Sequence, residues 1–251
     1  GVYIDELNEG HVTSWFADLN NRTGPGASNR TFEILKHMLN KAEEWGYRLE
    51  NTNPCRSVRP NRKRQCERFM TNEELARLGS ELAKSRASED RTKQCAGAAL
   101  TLLLLTGCRK SEILTLEWSD VKGNRLHLRD SKTGPRTVWL GSAARQVIAA
   151  LPRFERIPYP FWNYSYSKPL RCVNGFWRRL RDEAGLPGVR IHDLRHTFAS
   201  HAAMNKETLP MIGRLLGHAN VQTTARYAHL DDGHLLEAVQ QIGDLLECML
   251  N

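Results

Sequence analysis

The sequence predicts a mainly α protein with a small antiparallel β-sheet, an α+β fold class, built as a small helical unit followed by a larger one. Three observations predict it. Apolar residues recur at i, i+3 and i+4 over most of the 251 positions. The period changes to two only between Leu126 and Leu140. A basic, proline-bearing stretch interrupts both patterns after residue 50. Helices bury a stripe and strands bury alternate residues, so a change of period marks a change of element.

In chain order, a first helix is expected loosely from Glu9 to Leu19, then a polar turn from Asn20 to Gly26. A second helix, Ser28 to Trp45, places Phe32, Leu35, Leu39 and Ala42 on one side, with Arg30, Lys36, His37 and Lys41 elsewhere, and Gly46 ends it. Residues 51–68 read as a linker: Pro54 and Pro60 break regular structure, and Arg56, Arg59, Arg62, Lys63, Arg64 and Arg68 are opposed only by Glu67. Such a run is either a solvated connection or a contact to a phosphate backbone. Thr71 and Glu74 form a capping box ahead of Leu75 and Leu78. A buried helix follows from Thr92 to Leu105, stopped near Gly107, and another from Arg109 to Trp118. The residues alternating around Leu126–Arg129 and Thr137–Leu140 make a hairpin with Lys132 at its tip.

Helices resume at Ser142 and, after an aromatic loop from Pro152 to Pro169, at Leu170–Ala184. His192 stands just before a helix ending near Met204; Thr208 and Pro210 start a short helix that stops at Gly217; Asn220 caps the next, which carries Tyr227. A last helix from Asp231 spaces Leu235, Val239, Ile242, Leu246 and Met249 as a stripe that seeks a partner surface, either in the same chain or on a neighbouring protomer.

Composition narrows the class of function. With 36 Lys+Arg against 28 Asp+Glu, a net charge of +8, the chain favours a polyanionic partner, nucleic acid first. The 40% hydrophobic and 25% charged residues are the balance of a soluble globular protein, and no run reaches the roughly 20 apolar residues of a membrane helix. The six cysteines contain no C-x-x-C pair, which disfavours a metal site or a disulfide framework and fits a reducing cytosol. No basic start followed by an apolar segment marks secretion.

Five short segments carry chemistry: Thr106–Glu112 with Arg109, Ser131–Gly134 with Lys132, His192-Asp193-Leu194-Arg195-His196, Leu215-Leu216-Gly217-His218, and Tyr227. Together and in this order they resemble the catalytic signature of the tyrosine recombinases, the class that includes phage integrases and Xer-type resolvases. The resemblance covers about residues 69–230. It extends more weakly into the first 60, which look like part of the family's core-binding domain, with two helices where relatives have about four. It implies a tyrosine recombinase-like catalytic domain at 67–251, preceded at 1–66 by a partial helical DNA-binding domain and basic linker, the two expected to grip duplex DNA as a C-shaped clamp.

The resemblance also implies roles. Cleaving a phosphodiester demands charge stabilisation on the phosphoryl oxygens, a nucleophile, and a proton for the leaving 5′ oxygen. Arg109 and Arg195 clamp the scissile phosphate, since guanidiniums stay charged and donate in pairs; His218 adds a hydrogen bond. Lys132 protonates the leaving group, His192 is the general base or proton relay, and Glu112 orients Arg109. Tyr227 attacks phosphorus to give a 3′-phosphotyrosine and a free 5′ hydroxyl, so rejoining needs no ATP, metal or other cofactor. Arg30, Lys36, Arg56, Arg59, Arg62, Lys63 and Arg64 are expected to contact DNA. The implied protein is a prokaryotic or phage-encoded cytoplasmic recombinase, an integrase that inserts or excises a mobile element. It is monomeric when free and a homo-tetramer on double-stranded DNA. A type IB topoisomerase-like relaxing enzyme and a non-catalytic DNA-binding regulator are the alternatives. His192 and His196 fall at the spacing of a zinc pair but lack a third ligand at a recognised offset; His196 and His201 read as packing or surface residues.

Overall fold

The computed structural model describes residues 1–62, 68–129, 134–163, 168–170 and 172–230, together with Val239, Gln240, Ile242, Asp244, Leu246 and Met249. The chain divides into two compact units, Gly1–Cys66 and Glu67–Asn251.

The first unit is a helical hairpin. Helix α1 (Glu9–Thr23) starts at Asn8, whose side chain accepts from the His11 amide. It runs through most of the polar segment expected to be a turn, because Asn20, Asn21 and Arg22 face outward or find partners: Asn20 Oδ1 accepts from Asn61 Nδ2 at 2.7 Å. The break falls instead at Gly24, at φ 80°, and Pro25 opens α2 (Pro25–Glu44). Proline needs no amide partner at a first helical position, so a tight helix–helix corner is possible here. Val12, Phe16, Phe32 and Leu39 form the core with Cys55. Cys55 lies on a 3₁₀ turn, Pro54–Arg56, so this part of the expected linker packs as structure; Asn29 and Asn61 exchange two further hydrogen bonds at 2.8 Å.

In the second unit the Thr71 capping box forms as expected and opens α3 (Asn72–Arg86). Helix α4 (Arg91–Thr106) is buried from Cys95 to Leu103 on every side, which is why its sequence is apolar without a polar stripe. Gly107 ends it at φ 63°. The helix expected from Arg109 to Trp118 is only five residues long, α5 (Lys110–Leu114). The Trp118 amide is captured by the Pro158 carbonyl at 2.7 Å and Asp120 accepts from the Glu117 amide, so the chain turns into a 3₁₀ segment, Trp118–Asp120. The hairpin is β2 (Arg125–Leu128) with β3 (Arg136–Trp139), paired Leu126 to Val138 and Leu128 to Arg136. A third strand, β1 (Val121–Lys122), joins β2. The expected tip, Lys132, lies outside the described residues.

Helix α6 (Ser142–Ala149) is followed by a short antiparallel pair, β4 (Trp162–Asn163) and β5 (Lys168–Pro169), inside the stretch read as loop. Helix α7 (Asn174–Glu183) begins four residues later than expected, and Gly185 follows it at φ 64°. Then come α8 (Ile191–Met204) and α9 (Leu209–Leu216), with Thr208 capping α9 and Gly217 closing it at φ 66°. His192 is therefore inside α8, not before it. Tyr227 lies on a 3₁₀ segment, Ala225–Leu230, where an α-helix was expected; Asn220 accepts from the Gln222 amide and so caps the preceding 3₁₀ turn, Val221–Thr223. The stripe beyond is described only at Val239, Ile242, Leu246 and Met249, all helical and all more than half exposed; Leu235 lies outside the described residues.

Candidate active site

Helix α8 is the platform. Its first turn is fixed by Asp193, which accepts from the Arg190 amide at 2.7 Å and from the Arg190 guanidinium at 2.6 Å while itself fully buried. His192, Arg195 and His196 stand at i, i+3 and i+4, one face of one turn. Arg195 is 5% exposed and donates to the carbonyls of Gly107 at 2.6 Å and Leu216 at 2.9 Å. Burial first, then the neighbouring Arg109 and Arg136, lowers its pKa to about 10, which leaves it charged at neutral pH.

Arg109, at the mouth of α5, donates to Glu112 Oε1 at 2.9 Å and to the Gly217 carbonyl at 3.4 Å. Glu112 Oε2 accepts from the Arg109 amide at 2.8 Å and from Arg136 at 2.8 Å. Burial raises the Glu112 pKa, but the hydrogen bonds from Arg136 and Arg109 more than reverse that and hold the carboxyl below the usual range. The resulting cluster has a net positive charge and is organised in advance of any ligand, the arrangement that stabilises an oxyanion best.

The remaining groups line the same end of the unit. His218 Nδ1 is 2.8 Å from the hydroxyl of Thr224, which turns Nε2 away from that bond. Burial, with Arg195 and Arg109 nearby, lowers the His218 pKa to about 4. Tyr227 is 5% exposed and packs with Ala199, Ala203, Ile212 and Leu216; its phenol oxygen lies 2.8 Å from His196 Nδ1. Burial, His192 and Arg226 lower the His196 pKa to about 4, so the imidazole is neutral. The His192 and His196 rings meet edge to face with centroids 4.8 Å apart. His192 is the exposed member, and partial burial with Arg195 and Arg190 lowers its pKa too.

Of the residues singled out in the sequence, Arg109, Glu112 and Arg195 are tied together at the end of α9 with His218 just beyond, His192 stands on the Arg195 face of α8, and Tyr227 reaches that helix through His196. Lys132 lies outside the described residues. In the first unit Arg30, Arg59 and Arg62 are exposed, Lys36 is half-buried, and Arg56 is already paired with Glu43 at 2.6 Å; Lys63 and Arg64 lie outside the described residues. Two participants escaped the sequence reading. His196 was left with a packing or surface place although its offset of four from His192 puts it on the Arg195 face. Arg136 alternates with Val138 on the inward face of β3, and a charged residue on a strand's buried face is itself a signal of a partner. Among the described residues no group of three or more His, Cys, Asp or Glu could hold a metal ion.

Comparison with known proteins gives the family of the chain. The chain is 29% identical over 212 residues to the integrase of Escherichia phage 186, an alignment covering 83% of this chain and 57% of that protein. It is 30% identical over 224 residues to the integrase of Haemophilus phage HP1 (strain HP1c1), covering 88% and 61%. This chain thus spans about three fifths of the length of these relatives. A solved structure of the XerH site-specific recombinase bound to palindromic difH substrate, a post-cleavage complex, superposes with a TM-score of 0.72 over 93% of this chain and 72% of that one, at 17% identity. The sequence profile of the phage integrase family matches residues 68–234, nearly the whole of the second unit as described, and the chain belongs to that family.

Proposed function

We propose that the chain is a site-specific DNA recombinase that cleaves and rejoins strands through a 3′-phosphotyrosine at Tyr227, the chemistry of an integrase acting on a mobile element. The observation that supports it is the gathering of Arg109, Arg195 and His218 on one helix end, with Tyr227 nine residues beyond His218 and bonded to the helix that carries Arg195. Arg109 and Arg195 take the non-bridging oxygens of one phosphate and neutralise the charge that grows as the pentavalent state forms. His218, neutral, donates from Nε2. His192 relays the phenol proton, and Lys132 protonates the leaving 5′ oxygen. The phosphotyrosine keeps the bond energy for rejoining, so no ATP or metal takes part. The exposed basic residues of the first unit, Arg30, Arg59 and Arg62, with Lys36, Lys63 and Arg64, hold the duplex. The protein works in the cytoplasm of a prokaryotic host, free as a monomer and tetrameric on its site.

The test uses a nicked duplex carrying the native attachment site, so that cleavage releases a short strand and traps the enzyme. Wild type forms an adduct stable to denaturing electrophoresis. Tyr227→Phe forms none yet binds the duplex. Relaxation of a supercoiled plasmid without the site would point instead to a topoisomerase, and full biological function in Tyr227→Phe to a regulator.

A further inference from the structure

The last three carbonyls at the end of α9 each take one guanidinium. Leu215 accepts from Arg136 at 3.0 Å, Leu216 from Arg195 at 2.9 Å, and Gly217 from Arg109 at 3.4 Å. A helix C-terminus leaves such carbonyls without intrahelical partners and carries the negative end of the dipole, so it attracts and orients cations. Two of the three arginines are the clamp of the proposed reaction. The third has no place in it.

Arg136 is tied to Arg109 by a second route. Glu112, its side chain 2% exposed, holds Arg109 on Oε1 and Arg136 on Oε2. The Arg136 side chain, 11% exposed, runs flat beneath Gly217: a Cβ there would stand 2.5 Å from its Cδ and 2.8 Å from its Nε. Arg136 Nη1 and Nη2 are spent on Leu215 and Glu112, and Nε is buried with no hydrogen-bond partner among the described residues. This guanidinium faces protein, not ligand. It also opens β3 and so links that strand to the segment leading into His218.

We propose that Arg136 is a positioning residue for strand cleavage: through Glu112 and the Leu215 carbonyl it sets Arg109 and the 215–218 segment. This rests on the recombinase reading of the site. Lysine cannot replace it, because one ammonium cannot span both Glu112 and the Leu215 carbonyl in the planar geometry of a guanidinium.

Single-turnover adduct formation on the nicked attachment-site duplex tests this, with affinity for the same duplex and the thermal midpoint measured in parallel. Arg136→Gln and Arg136→Lys should each bind DNA within about twofold of wild type and form adduct about 100-fold more slowly. Glu112→Gln should be slowed similarly, and Arg136→Gln/Glu112→Gln should be no more than about threefold slower than the worse single variant, because both act on one arm of the clamp. On a duplex whose scissile phosphate is a methylphosphonate, which has one less negative charge for the clamp to stabilise in both ground and pentavalent states, the Arg136→Lys defect should shrink at least tenfold; a merely structural defect would persist. Multiplying rate losses, an unchanged methylphosphonate defect, or wild-type cleavage in both Arg136 variants would overturn the inference. If Arg136→Gln fails to fold, Arg136→Lys on the two substrates decides. Wild type and Tyr227→Phe run alongside: an adduct from the first only, with unaffected Arg136 variants, refutes this role alone, whereas no adduct from wild type refutes the recombinase reading.

Discussion

Burying an unpaired guanidinium costs on the order of several kcal/mol, and Arg195 avoids that cost by donating to the carbonyls of Gly107 and Leu216. Those bonds fix its plane before any phosphate arrives. Arg195→Lys should therefore slow adduct formation by about 100-fold or more, since the donors of an ammonium radiate from one nitrogen and cannot span both carbonyls and grip a phosphate in pairs; single-turnover rates check this. The histidines make a pH prediction. His196 and His218, with pKa values near 4 in the folded protein, are neutral there but protonate near 6.5 when unfolded. The unfolded state thus binds more protons between those values. Stability from these groups is fully present above about pH 6.5 and falls as pH drops toward 4. Denaturant melts across that window should show the loss, and His196→Gln/His218→Gln should flatten it. His196→Ala should also cost about 1–3 kcal/mol at pH 7.5, by removing the partner of a buried phenol.

At the scale of elements, the site depends on two glycine-terminated helices meeting. Gly107 closes α4 at φ 63°, and a Cβ on it would lie 2.6 Å from Phe198 of α8 and 2.9 Å from Leu216 of α9. Gly107→Ala should destabilise the second unit by about 2–4 kcal/mol, from left-handed strain plus overpacking; the shift in denaturant midpoint is the measurement. Gly107 as a helix stop, the Thr71 capping box and the β2–β3 alternation were all legible in the sequence, because local backbone chemistry sets them. What was not legible came from distant partners. The shortness of α5 depends on the Pro158 carbonyl drawing the Trp118 amide out of the helix, a contact across 40 positions. The 3₁₀ form of Ala225–Leu230 accompanies the packing of Tyr227 against α8 and α9. Motif order singled out Arg109, Arg195, His218 and Tyr227 as candidates, but the pairing of Glu112 with Arg136 joins two elements that no local pattern connects.

For the whole molecule, the proposed binding to DNA should depend strongly on salt, given the net charge of +8 and the exposed Arg30, Arg59 and Arg62. Replacing Arg59 or Arg62 with Gln should reduce the slope of log affinity against log salt by about one each, leaving cleavage chemistry on saturated DNA intact; salt titrations of duplex binding measure it. The exposed stripe at Ile242, Leu246 and Met249 fits either a surface of the same chain or a neighbouring protomer, and the proposed assembly takes the second. Ile242→Asp/Leu246→Asp should leave one protomer able to occupy a half-site while abolishing larger complexes in sedimentation. The proposed reaction turns on one covalent bond, which mass mapping of the trapped adduct after nuclease and protease digestion identifies. A nucleotide joined through its 3′ phosphate to Tyr227 is expected. A nucleotide on any other residue, or a linkage through the 5′ phosphate, would contradict it.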